Sequence, residues 1–253
     1  MIRAVILAAG VGSRLAPHTD DRPKALVEVA GASLLARLAR QLRAVGVEEL
    51  IVATGHAEHA VVRALAAIPM RSTICNNPGF AHTQNVASLH ACAAAILSGG
   101  ARETWKLDGD LWLDDRVITR LAALPLPEDA LLCAVDRRSD LGAEEMKVRI
   151  EGERIVAFGK HLDPATAHGE SMGIERLGSR AVSSIVDAVS RAVTVGETHL
   201  YYEDVYHRIL QRHGDASPRA LAVSSGDLPW TEIDTPEDLA RAGRLATTPE
   251  PGS

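Results

Sequence analysis

The chain has 253 residues, 46% of them hydrophobic and 24% charged, which suits a soluble globular protein of one α/β domain or two small ones. Aromatics make up only 3%, so the core must be built from Ala, Val, Leu and Ile, and a net charge of −6 excludes a general basic surface for nucleic acid or anionic membrane. Three widely separated cysteines, Cys75, Cys92 and Cys133, form neither a zinc pattern nor a disulfide framework and read as buried thiols in a reducing compartment.

Along the chain, apolar runs of strand length first alternate with helical patterns. Residues 4–8 form a short strand ending in glycines, and 33–45 have helical spacing with Ser33 as N-cap. Strands follow at 50–54, 71–76 and 104–107, with helices at 57–67 and 85–97 between them. This order predicts a mostly parallel sheet with helices on both faces, a three-layer Rossmann-like α/β fold. After Asp110 the pattern changes to strands at 130–135, 146–150 and 154–158, the last two joined by a Glu151-Gly152-Glu153 turn, so a mixed sheet is expected. Helices at 179–193 and 203–212, a strand at 220–223 and a final helix from Thr235 complete the chain. Residues 1–246 read as a single domain and 247–253, rich in Pro, Thr, Gly and Ser, as a flexible tail. The start, MIRAVILAAG, reads as a strand rather than a leader, and no run of about eighteen apolar residues occurs, so a cytoplasmic location is expected.

The sharpest motif is Leu7-Ala8-Ala9-Gly10-Val11-Gly12-Ser13-Arg14-Leu15, followed by Arg22-Pro23-Lys24-Ala25-Leu26. Glycines at a strand end let backbone N–H groups approach a polyphosphate, while Arg14 and Lys24 can neutralise its oxygens and the charge at a reacting phosphorus. The string is neither a Walker A loop nor a dinucleotide fingerprint. It resembles the sugar-phosphate nucleotidyltransferase superfamily, whose glycosyltransferase-A-like fold carries this loop after its first strand. The resemblance implies a grip on a nucleoside triphosphate by Leu7, Ala8, Ala9, Gly10, Gly12 and Ser13, with Arg14 and Lys24 on the phosphates.

A second motif, Leu107-Asp108-Gly109-Asp110, puts two carboxylates at a strand end, where a magnesium ion could bridge triphosphate oxygens. The resemblance places a metal ligand on Asp110, leaves Asp108 as a nucleotide contact and weaker ligand, and adds Asp234 as the second ligand. Thr235-Pro236-Glu237-Asp238 also makes a good helix start, which explains those four residues without explaining Asp234.

Further strings resemble the small cytidylyltransferases acting on phosphocholine, inositol phosphate or aminoethylphosphonate. Gln84, Asn85 and Ser88 fall in their Asn-rich nucleotide segment, although Asn85 and Ser88 also suit a helix start. Lys147 and Lys160, on strands, match cleft lysines of that subgroup. Lys147 is thereby expected to align the acceptor's phosphate or phosphonate, although strand lysines often snorkel to solvent. Glu170 and Ser171 resemble the turn lining the acceptor pocket, and Glu203 and Asp204 the acidic segment beyond it. Choline is disfavoured, because few aromatics remain to cage a quaternary ammonium. Trp112, Tyr201, Tyr202 and Trp230 are the candidates.

The reading implied is magnesium-dependent transfer of CMP from CTP to a small phosphonate or phosphate, with a homodimer as a family-level expectation. UTP or another triphosphate stays open. So do a glycosyltransferase reading of Asp108-Gly109-Asp110 and a nucleotide-sensing domain without turnover.

Overall fold

A computed structural model describes residues 1–212 and 217–247. The strands are β1 (Ile2–Leu7), β2 (Glu28–Val29), β3 (Ala32–Ser33), β4 (Glu49–Thr54), β5 (Arg71–Asn76), β6 (Glu103–Asp108), β7 (Leu111–Leu113), β8 (Ala130–Asp136), β9 (Lys147–Glu151), β10 (Arg154–Gly159), β11 (Glu170–Gly178), β12 (Arg219–Ser224) and β13 (Trp230–Glu232). The helices are α1 (Leu34–Ala44), α2 (Glu58–Ala66), α3 (Asn85–Ala91), α4 (Ala93–Leu97), α5 (Asp115–Ala122), α6 (Ser179–Thr194), α7 (Tyr202–Leu210) and α8 (Pro236–Thr247).

One sheet organises the molecule, in the order β5-β4-β1-β6-β11-β8-β12-β10-β9, with β9 returning to touch β11 at Lys147 and Glu170. Pairing is parallel from β5 through β6 and between β8 and β12, and only β11 and β10 run against the rest. Alternation along the central strands supplies two cores. Leu50 and Val52 of β4 face a layer of α1, α2 and α5, while Ile51 and Ala53 face α3, α4, α6 and α7. Helix α1 shows how one layer forms. Ser33 Oγ accepts from Ala36 N at 3.2 Å to start it, and Leu35, Leu38 and Leu42, spaced at three and four, are buried. Truncating a side chain such as Leu38, which is fully buried, would cost about 2–5 kcal/mol.

The three-layer expectation therefore holds, with particular corrections. The helix expected over 85–97 breaks at Cys92 into α3 and α4. Strand β11, a central one, falls where no strand was expected. Its nine residues are all buried, charged ones included, so it shows no alternation. The charges survive because they are paired: Arg176 meets the Glu103 carboxylate at 2.9 and 3.1 Å and lies 5.3 Å from the Trp105 ring. Helix α5, the β2–β3 hairpin and the β7–β13 ribbon were likewise not foreseen. Cys92 and Cys133 are buried free thiols and Cys75 is half-buried. Among the described residues, no helix is long and apolar enough to cross a membrane. The predicted tail, Thr247 apart, lies outside the described residues.

Candidate active site

The cleft forms where two parallel strands end together. β1 and β6 pair with Leu7 opposite Asp108, and Gly109 N donates to Leu7 O at 2.9 Å, so the glycine loop and Asp108-Gly109-Asp110 emerge side by side. Gly12 takes a left-handed conformation (φ 68°) and turns the chain into a short 3-10 turn, Ser13–Leu15, anchored by fully buried Leu15. Thr19 Oγ1 fixes the turn by donating to Gly12 O at 2.8 Å. A second 3-10 turn, Lys24–Leu26, buries Ala25 and Leu26 and leaves Lys24 facing the cleft.

The β7–β13 ribbon delivers the last acidic residues. Trp230, Thr231 and Glu232 pair with Leu113, Trp112 and Leu111, and Ile233 N donates to Asp110 O at 2.9 Å. Asp110, Glu232 and Asp234 thereby offer carboxylate oxygens within 4.8 Å of one another. Lys24 Nζ lies 3.2 Å from Asp110 Oδ2 and also bonds Asp234 Oδ1, and Arg14 Nη2 donates to Asp234 Oδ2 at 2.6 Å. The Asp110 charge, with desolvation second, pushes the Glu232 carboxyl up to about 8. An all-carboxylate donor set suits a hard divalent cation, which would also relieve this crowding.

Two adjoining cavities flank the cluster, and Arg14 lines both. The smaller, about 230 Å³, is lined by the loop and includes Leu7, Ala8, Gly10, Gly12, Ser13, Lys24 and Asp110. The larger, about 280 Å³, is lined by Asn85, Asp108, Lys160, Glu170, Ser171, Glu203, Glu232 and Asp234, among others.

Beneath the larger cavity lies a buried ionic network. Lys106, fully buried, is 3.0 Å from Glu175 and 3.3 Å from Asp108, and its ammonium sits 3.4 Å from the Tyr202 ring centre. Tyr202 Oη donates to Asp108 Oδ2 at 2.9 Å. Burial opposes the Lys106 charge, but Asp108, Glu175 and Glu203 outweigh it and raise its pKa. Burial pushes the carboxyls the other way, Glu175 to about 7 and Glu203 to about 8, with Asp108 also raised.

A family model described as a MobA-like NTP transferase domain matches residues 4–228. This chain belongs to that family. As an NTP transferase domain it is 31% identical over 242 residues to the bifunctional IPC transferase and DIPP synthase of Rubrobacter xylanophilus, covering 94% of this chain and 50% of that protein. It thus spans about half the length of that relative. The CMP-5'-(3-aminopropyl)phosphonate synthase of Streptomyces rubellomurinus is 37% identical over 127 residues, covering 49% of this chain and 19% of that protein. Among solved structures, the inositol-1-phosphate CTP transferase from T. maritima shares the fold at a TM-score of 0.77 and 22% identity, covering 96% of this chain and 94% of that one.

Several residues of the NTP transferase domain sit elsewhere than expected. Lys147 lines neither cavity. It is fully buried, and Nζ donates to the carbonyls of Gly142, Ala143 and Glu145 at 2.9, 3.3 and 3.1 Å, so it holds the loop carrying Glu144 and Glu145. Ser88 is buried and accepts from Asn77 Nδ2 at 3.1 Å, an internal tie. Asp204 caps α7 by accepting from Tyr201 N at 2.8 Å. Gln84 is exposed and lines neither cavity, and Ala9 is buried behind the loop, its carbonyl taken by His56 N. Asn85 lines the larger cavity but spends Oδ1 on Tyr202 N at 2.9 Å. Asp108 stands outside the acidic trio, held by Lys106 and Tyr202. Glu232 was missed, although its spacing of two from Asp234 across buried Ile233 is a legible strand signal. Arg138, which lines the larger cavity and bridges Glu145 and Glu170 at 3.1 and 3.0 Å, carries no such signal.

Proposed function

We propose that this domain is a magnesium-dependent cytidylyltransferase that transfers CMP from CTP to a phosphonate or phosphate oxygen of a small acceptor. The convergence of Lys24 and Arg14 on Asp110 and Asp234, beside the glycine loop, carries the reading. The activities of relatives support the choice of CTP: a CMP-phosphonate synthase, and a 2-aminoethylphosphonate cytidylyltransferase from Lancefieldella rimae that is 30% identical over 115 residues.

The acceptor oxygen bonds to the α-phosphorus of CTP while the bond from that phosphorus to the β-bridging oxygen breaks, and pyrophosphate leaves. The attacking oxygen is already anionic near neutral pH, so no general base is required, and catalysis is positioning plus neutralisation of charge. Asp110, Asp234 and Glu232 would hold the magnesium ion, which supplies positive charge to triphosphate oxygens. Arg14 and the loop N–H groups bind the departing phosphates. Lys24, held between Asp110 and Asp234 in the structure, would neutralise charge at the α-phosphate.

Isotope placement tests this reading. With CTP labelled at α-phosphorus, label should move into a product containing the acceptor, and β,γ-label should leave as pyrophosphate. Release of a nucleoside diphosphate from a nucleotide-sugar, with no product formed from CTP, would point instead to glycosyl transfer, and CTP binding without any product to a sensing domain.

A further inference from the structure

A single histidine clasps the glycine loop at both ends. His56 follows β4, and its backbone N donates to Ala9 O at 3.1 Å, where the loop begins. Its ring Nε2 lies 2.9 Å from Thr19 O, beyond the loop's 3-10 turn. A carbonyl oxygen can only accept, so Nε2 carries the hydrogen in this contact. The clasp continues inward through Thr19, which is buried and donates its hydroxyl to Gly12 O at 2.8 Å. Gly12 is closely packed there. An added Cβ would lie 2.5 Å from Lys24 Cγ and 3.2 Å from the Thr19 methyl, so the Lys24 stem crosses Gly12 beside Thr19. His56 is itself held in place. Ala57, the next residue, has φ 47°, a left-handed conformation that is costly for a residue with a Cβ. Before it, a Cβ on Gly55 would lie 2.6 Å from Phe80 Cβ and 2.9 Å from Ala9 O, and the His56 and Phe80 ring centres are 6.3 Å apart.

We infer that His56 is a positioning residue for the triphosphate grip, fixing through Thr19 both the turn at Gly12 and the course of the Lys24 side chain. The inference rests on the loop's role in the cytidylyl reading above and adds the residue that sets the loop's shape. His56 lines neither cavity, so its influence on a ligand runs through the loop. Backbone N–H groups aimed at phosphate oxygens act only when they are held in one conformation before the ligand arrives. A clasp at entry and exit supplies that constraint to a stretch containing two glycines.

The test compares wild type with three variants by calorimetric binding of CTP and of CMP, each with magnesium and without acceptor. His56→Phe keeps a ring beside Phe80 but removes the donor, and His56→Gln replaces Nε2 with an amide N–H. Thr19→Val keeps the methyl but breaks the link to Gly12 O. In His56→Phe and Thr19→Val, the advantage of CTP over CMP should fall by about tenfold or more, the scale of one hydrogen bond to a charged group. Affinity for CMP, which lacks the phosphates the loop is assigned to hold, should stay unchanged, and His56→Gln should bind as wild type does. Losses no greater for CTP than for CMP, or a loss that His56→Gln shares, would mark a residue that only supports the fold and would overturn the inference. Wild-type affinities in His56→Phe would overturn it equally. Should His56→Phe fail to fold, His56→Gln and Thr19→Val decide between the same outcomes. Wild type that binds CTP no more tightly than CMP overturns instead the triphosphate grip on which the inference rests, before any variant is made.

Discussion

Lys147 and Glu232 exchange the roles that residue type alone would give them. A lysine on a strand beside a cleft invites a role in catalysis, yet Lys147 donates to three carbonyls of one loop and lines neither cavity. It is a positioning residue for the wall that carries Glu144 and Glu145. Lys147→Met should therefore raise KM for the acceptor, leave KM for CTP near its wild-type value, and lower stability by about 1–3 kcal/mol through the unpaired carbonyls. A direct hold on the transferring group would instead lower kcat with unchanged stability, which steady-state kinetics beside a denaturation curve would reveal. Glu170 allows a pH test at the same scale. Burial, opposed by Arg138, pushes its carboxyl from an ordinary 4.5 up to about 7, so the folded protein holds that proton more tightly than the unfolded chain. The stability this contributes is complete below the unfolded value and is lost as pH rises through about 7. Glu170→Gln, fixed in the neutral form, should gain on wild type in melting temperature from about pH 5 to about pH 8. A constant or shrinking difference would contradict the burial argument.

Among the elements, what sequence could reveal depended on whether a buried strand was apolar or carried charges. Strand β4 and helix α1 matched expectation closely because their local signals, an unbroken apolar run and an N-cap serine, decide their structure. Strand β11 was hidden because Glu170, Glu175 and Arg176 look like surface residues and are buried only through partners distant in sequence. Its bulge also shapes the site. Register shifts between Ser171 and Glu175, and Gly173 there has φ 68° with space so tight that an added Cβ would lie 2.4 Å from Asp108 Oδ2. Gly173→Ala should thus destabilise the protein by more than about 1 kcal/mol and displace Asp108, weakening acceptor use more than CTP binding. An alanine variant of wild-type stability would show that the bulge relaxes freely. The acidic trio follows the same logic. Asp110 and Asp234 were legible by motif, but their meeting requires the short β7–β13 ribbon, whose two three-residue strands are too brief to announce themselves.

At the scale of the whole molecule, the two core layers hold one sheet whose β1 and β6 ends carry the glycine loop and Asp110, while Lys24 comes from a 3-10 turn and Asp234 from beyond the β7–β13 ribbon. A third, smaller cluster of Leu15, Val29, Leu34, Trp112, Ile233 and Ala242 locks the glycine loop, the hairpin and α8 to one another. Binding of metal and nucleotide should thus stabilise the fold as a unit. Magnesium with CTP should raise the melting temperature of wild type and leave that of Asp234→Asn nearly unmoved. The most direct measurement is pyrophosphate release with each of the four common nucleoside triphosphates, with and without magnesium, in the presence of small phosphonate and phosphate acceptors. Magnesium-dependent release with CTP, and with no other triphosphate to a comparable rate, is the predicted result. Release favouring another triphosphate would overturn the cytidylyl assignment, and release independent of magnesium would remove the role given to Asp110, Glu232 and Asp234.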